Sequence, residues 1–298
     1  MTGGDSPIDV GAEGQQTLRP AGGTLLEDRP ALLKRSGVLN VGRQRVRMSL
    51  VNEGAGRPLL LINGIGATGD LFDDFRVHIT DRETIAFDVP GVGGSPAPTW
   101  PWRIRWYARV VAEMINELGH SSVDVLGLSW GGALAQELAR RHPDRVRRLV
   151  LVATTPGVIS LPGRPSALAV LMTPWRYYSP AYLQAVAPTL YGGQVRDHPE
   201  MMNRHSQVRS TRPPSVSGYV CQLSALRRWT SLPWLRTLPM RTLVLAGDDD
   251  PIIPLRNAKM MASRIPQARL YVVKGGGHLF LFTQAAAMAD RVTDFLDA

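Results

Sequence analysis

A chain of 298 residues, 44% hydrophobic and 20% charged, can bury one large α/β core, and it contains no apolar run near the roughly 18 residues needed to cross a bilayer. Its single cysteine, Cys221, excludes an intramolecular disulfide or a metal site built on several thiolates; a free thiol behaves as a small hydrophobe, so Cys221 reads as a buried packing residue. The formal net charge of +9 comes almost entirely from arginines scattered along the chain, which points to a solvated surface and away from nucleic acid.

Residues 1–35 are rich in Gly, Pro and acidic side chains and lack apolar periodicity, so a disordered extension is expected there. The first residues show neither the basic nor the apolar region of a secretory signal, which makes a cytoplasmic location the expectation. From residue 38 the pattern becomes regular. VLNVGRQRVRMSLV (38–51) alternates like paired strands, and LLLIN (59–63) and TIAFDV (84–89) read as buried strands. A helix over about 102–118 follows, then the strand VDVLGL (123–128), a helix over 132–141 and the strand RRLVLVA (147–153). The rhythm resumes with RTLVLAG (241–247), a helix over about 255–264, the strand ARLYVV (268–273) and a final helix. Alternation of this kind predicts a mostly parallel sheet flanked by helices. We assign 36–154 and 239–298 to that α/β core. The strandless stretch 155–238, with its many prolines and aromatics, is then a helical cap inserted within the sheet.

Chemistry concentrates where strands end. Gly127-Leu128-Ser129-Trp130-Gly131 fits G-x-S-x-G between a strand and a helix, a turn so sharp that small residues are needed on both sides of the serine. Ser129 is therefore the expected nucleophile, aligned with the positive end of the following helix. A serine hydroxyl needs a base, and six histidines are available: His78, His120, His142, His198, His205 and His278. Only His278 follows a strand through an open Gly275-Gly276-Gly277 loop, so it is the expected base. The partner that orients it should come from Asp248-Asp249-Asp250, at the carboxyl end of a strand where α/β sites lie. Asp250, with Pro251 behind it, is the preferred member, and Asp248 and Asp249 are the alternatives. The order Ser, Asp, His is that of one of the three known serine-triad arrangements. Backbone N–H groups of Trp130 and of Ile65, in Asn63-Gly64-Ile65-Gly66, are the expected oxyanion donors. The glycine-rich FDVPGVGGS (87–95) lacks the Gly-Lys-Ser/Thr ending of a phosphate loop, so it reads as a tight turn and Asp88 as a structural carboxylate. Acyl transfer by such a set requires no metal and no organic cofactor.

These segments resemble the α/β-hydrolase superfamily. LINGIGA (61–67), AFDVPGVGGS (86–95), GLSWGGALAQELA (127–139), LVLAGDDDPIIPL (243–255) and GHLFLF (277–282) are similar to the intracellular poly(3-hydroxyalkanoate) depolymerases of the medium-chain-length type. So are LYGGQVRDHPE (190–200) and CQLSALRRWTSLPWL (221–235). The resemblance implies an α/β-hydrolase fold, the triad Ser129, Asp250 and His278, and a polyester or oligoester of 3-hydroxy acids as substrate, with the polymer granule surface as a partner. Cap aromatics, Trp175, Tyr177, Tyr178 and Tyr191 among them, suit an apolar acyl pocket. The alternatives are a small-molecule carboxylesterase, lipase or carbon–carbon-bond hydrolase with the same triad, and a slow-turnover ligand-binding or granule-binding protein. No pattern in the chain fixes an oligomeric state.

Overall fold

Apolar runs with no polar face need cover on both sides, and the structure, a computed structural model describing residues 8–9, 14–18 and 32–298, provides it. Among the described residues one sheet contains β1 (Gln15–Leu18), β2 (Leu32–Val41), β3 (Gln44–Val51), β4 (Leu59–Ile62), β5 (Thr84–Phe87), β6 (Val123–Leu128), β7 (Val146–Val152), β8 (Thr242–Gly247) and β9 (Ala268–Val273). Their spatial order is β1-β2-β3-β5-β4-β6-β7-β8-β9. The first three pairings are antiparallel, and every pairing from β5 to β9 is parallel.

Period-two alternation divides the central side chains between two cores. Leu60 and Ile62, Val125, Leu149 and Leu151, and Val244 face one layer. That layer holds α1 (Ile104–Glu117) and α2 (Trp130–Arg141), which contribute Tyr107, Val111, Ile115, Leu134 and Leu138. Leu59 and Leu61, Leu126 and Leu128, Val150 and Val152, and Leu243 and Leu245 face the other, against Phe75, Val292, Phe295 and Leu296.

Between β7 and β8 the chain is helical, with α3 (Pro165–Leu171), α4 (Pro180–Tyr191), α5 (Met202–Thr211) and α6 (Val216–Ala225). Local chemistry sets their starts. Ser179 and Ser215 cap α4 and α6, their hydroxyls accepting from Tyr182 N at 3.2 Å and Gly218 N at 3.0 Å. After β8 come α7 (Leu255–Ala262) and α8 (Ala285–Asp297). No helix among the described residues is long and apolar enough to cross a membrane.

The expectation of a disordered stretch over 1–35 is corrected wherever those residues are described. Gln15 pairs with Arg35 and Leu18 with Leu32, β2 already begins at Leu32, and Asp9 bridges Val38. Ladder bonds are made by backbone groups, so a polar edge strand needs no apolar period. The remainder of the stretch, 1–7, 10–13 and 19–31, lies outside the described residues. Two helix boundaries also move. The helix placed at 132–141 begins at Trp130, directly after Ser129. The final helix breaks at Gln284 (φ −128°, ψ 41°), leaving a separate turn over Phe280–Thr283.

Candidate active site

Ser129 stands between β6 and α2 with φ 55° and ψ −117°, a conformation that costs a non-glycine residue about 1–3 kcal/mol. Hydrogen bonds hold it there: Ser129 N donates to Val152 O at 2.8 Å, and Thr154 Oγ1 donates to Ser129 O at 2.6 Å. The flanking glycines are required by space. A Cβ on Gly127 would lie 2.4 Å from Gly131 O, and one on Gly131 would lie 2.2 Å from Ile62 O. As the first residue of α2, Trp130 offers an N–H with no acceptor inside the helix.

The three adjacent aspartates do three different things. Asp248 accepts from Gly275 N at 2.7 Å, steadying the glycine loop. Asp249 accepts from Gly193 N at 2.9 Å and from Arg196 at 2.8 Å, tying the turn after β8 to the helical segment. Asp250 Oδ1 accepts from Ile252 N at 2.8 Å and Ile253 N at 2.9 Å, and its Oδ2 meets His278 Nδ1 at 2.7 Å. Both side chains of this last pair are buried. His278 N donates to Tyr191 O at 2.7 Å, so the loop bearing the imidazole is pinned from the end of α4. The other five histidines are absent from the cavity that Ser129 and His278 share. His120 meets Glu83 at 3.2 Å and His198 meets Glu200 at 3.1 Å, and His142 caps the end of α2. Ser129 Oγ itself makes no hydrogen bond to His278 here; such contacts are often long before substrate binds.

The loop after β4 closes against the serine. Asn63 Nδ2 donates to Thr68 O at 2.8 Å, and a Cβ on Gly64 would sit 3.5 Å from Ser129 Cβ. Gly64 N donates to Asn63 Oδ1 at 2.8 Å and Gly66 N to Gln222 Oε1 at 2.7 Å. The Ile65 N–H lies between these engaged amides, and its carbonyl accepts from Tyr177 Oη at 2.5 Å. Gln222, fully buried on α6, also accepts the Trp130 indole N–H on its backbone oxygen at 2.8 Å. One residue of the helical segment thus holds both the loop and the helix start that carry the candidate oxyanion donors. Asp88, read as structural, is buried between Gly69 N at 2.8 Å, Gly94 N at 3.0 Å and Arg47 at 3.4 Å. Cys221 is buried on α6.

Ser129, His278 and Ile65 line one narrow cavity of about 30 Å³. Wider surface clefts, such as the one beside Arg105, Arg109 and Arg145, contain none of them. The cavity wall holds two guanidiniums that the sequence did not announce, because arginines scattered along a chain read as solvent-facing. Arg176 is buried and donates to Tyr219 Oη at 2.7 Å and Thr173 O at 3.1 Å. The side chain of Arg209, a residue 5% exposed, makes no hydrogen bond or ion pair among the described residues, and its Nε is buried without a partner. The Tyr191 hydroxyl, in the same wall, is likewise buried and unpaired. Arg209 does stack over the Tyr177 and Tyr191 rings at 5.0 and 5.5 Å. Such contacts contribute up to about 2 kcal/mol when desolvated, less than the several kcal/mol that burying an unpaired ion costs. Burial, with Arg209 and Arg204 next, pushes His205 down to about 3, so the imidazole adds no charge.

Residues 57–285 match the model of a family described as alpha/beta hydrolase fold. A poly(3-hydroxyalkanoate) depolymerase from Ectopseudomonas oleovorans is 47% identical over 80% of this chain and 84% of that protein. A 2-hydroxymuconate semialdehyde hydrolase from Pseudomonas sp. (strain CF600) is 32% identical over 84% of this chain and 90% of its own. Among solved structures, the enol-lactonase from Burkholderia xenovorans LB400 superposes with a TM-score of 0.75 at 21% identity, covering 88% of this chain and all of that one, a likeness of fold.

Proposed function

The chain belongs to the alpha/beta hydrolase fold family, and from that premise we propose that it is a serine hydrolase of carboxylic esters, acting on poly(3-hydroxyalkanoate) or its oligoesters through Ser129, His278 and Asp250. The observation that carries this reading is the buried 2.7 Å contact between Asp250 and His278 Nδ1 beside a cavity that also receives the strained Ser129. The substrate class comes from the 47% identity to a poly(3-hydroxyalkanoate) depolymerase.

With Nδ1–H given to Asp250, His278 Nε2 is free to take the Ser129 proton. Oγ attacks the ester carbonyl, and the oxyanion is received by the N–H groups of Ile65 and Trp130, each worth roughly 3–4 kcal/mol in the transition state. The C–O bond to the alcohol breaks as His278 returns the proton to the leaving oxygen. Water then repeats the sequence on the acyl-enzyme. In this reading residues 155–238 form a cap over the site and the protein works in the cytoplasm. Exposed Met172, Trp175, Val216 and Val220 on that segment would rest on a polyester granule. Replacing Ser129 with Ala is expected to abolish ester hydrolysis and labelling by an organophosphonate; turnover surviving in that variant overturns the assignment. A chain-length series of soluble esters beside a polyester emulsion separates a polyester enzyme from a small-ester or carbon–carbon-bond hydrolase, the second reading favoured by the semialdehyde hydrolase relative.

A further inference from the structure

Arginines on and beside α5 are treated unequally. Arg204 pairs with Asp74 at 2.9 Å, and Arg212 reaches Asp70 at 3.4 Å. Arg209, between them in sequence, faces the cavity that holds Ser129 and His278, where no carboxylate among the described residues meets it. A buried guanidinium is a five-donor fork whose natural complement is a carboxylate. The unpaired Tyr191 hydroxyl, whose ring lies 5.5 Å below the guanidinium, supplies a further donor to the same space. Arg176 differs: its bonds to Thr173, Tyr219 and Ile65 are those of a residue that holds the wall in place.

The chemistry of the substrate says where such a cation would act. In an oligoester of hydroxy acids the free carboxylate always lies on the alcohol side of each ester bond. A cation in the nucleophile's own cavity can therefore grip only the unit that leaves. We propose that Arg209, with the Tyr191 hydroxyl, forms a carboxylate subsite that takes the acid terminus of a short hydroxyalkanoate oligoester and directs cleavage to the last ester bond, releasing hydroxy-acid monomer. The inference rests on the ester-hydrolase reading and adds to it a preferred end of the chain.

The test uses the full chain and two 3-hydroxyalkanoate dimers, one with a free carboxylate and one with that carboxylate replaced by a primary amide, which is neutral and similar in shape. The wild-type protein should favour the acid dimer in kcat/KM by about tenfold or more, the discrimination expected when a built polar site loses its partner. Arg209→Gln should erase that preference, bringing kcat/KM on the acid dimer to that on the amide dimer, and Arg209→Lys should restore part of it. Equal rates on the two dimers in the wild-type protein overturn the subsite and need no variant. An Arg209→Gln protein that loses both activities alike, with a lowered Tm, marks the arginine as structural and also overturns it. A neutral p-nitrophenyl ester keeps the two readings apart: if it is hydrolysed while the acid dimer is not preferred, the subsite fails and the hydrolase stands. If no ester is cleaved, the hydrolase reading itself fails.

Discussion

Replacing Asp250 with Asn separates the electrostatic part of this residue from its structural part. Its Oδ1 accepts two backbone N–H groups, from Ile252 and Ile253, and its Oδ2 faces His278 Nδ1 at 2.7 Å. An asparagine keeps one oxygen for the two amides and turns its NH2 toward the ring. Nδ1 must then accept, so the proton moves to Nε2 and the imidazole can no longer take the serine's. A tautomer fault of this kind lowers kcat by about 10⁴-fold, roughly 5 kcal/mol in activation free energy. The fold should hardly notice, since the backbone acceptor survives. Asp250→Ala instead orphans two buried N–H groups, at about 1–3 kcal/mol each, and should lose stability as well as rate. Steady-state hydrolysis of a soluble ester with urea unfolding of both variants measures the two effects. Asp250 is not the carboxylate that orients His278 if Asp250→Asn retains more than about a tenth of wild-type kcat, a loss far smaller than this mechanism requires. The same holds if Asp248→Asn or Asp249→Asn proves the more damaging change.

Two further outcomes follow from contacts outside the proposed triad. Gln222→Met leaves the backbone bond to the Trp130 indole but removes the acceptor of Gly66 N; kcat should fall about tenfold with KM nearly constant, as for loss of an interaction made in the transition state, and a change confined to KM would contradict it. Burial alone would raise the Asp70 pKa, but Lys34, 2.6 Å away, and Arg47 outweigh it and hold the carboxyl down to about 2. A depressed folded pKa adds stability above the unfolded value that disappears as pH falls through the folded one. The wild-type advantage over Asp70→Asn in urea unfolding should therefore shrink by roughly 2 kcal/mol between pH 5 and pH 2; a constant gap would refute it.

Much of the fold was legible because its signals are local. β4 and β8 are apolar runs, β7 ends in one and β6 is broken only by Asp124, and runs of that kind between turn residues admit few other readings. The serine elbow was legible for the same reason, since Gly127 and Gly131 mark a close approach that any side chain would block. The choice among Asp248, Asp249 and Asp250 was open because three neighbouring carboxylates differ only in where the turn aims them. Strand β1 was hidden because edge pairing is a backbone matter and QQTL carries no apolar period. Arg209 and Gln222 were invisible for a deeper reason. What marks the first is a missing partner, and what marks the second is a pair of contacts reaching 156 and 92 residues away. Neither property exists until the chain is folded.

The double grip of Gln222 bears on how such a protein can be re-engineered. Inserted helical segments invite grafting, in which one enzyme's lid is exchanged for another's to import a new acyl preference. Here the segment also supplies the struts for Gly66 and Trp130, while its Tyr191 carbonyl holds the His278 amide. A chimera that swaps residues 155–238 wholesale would exchange specificity and lose rate together. A graft that retains Tyr191, Gln222 and the Asp249 clasp on Gly193 would exchange the first and keep the second.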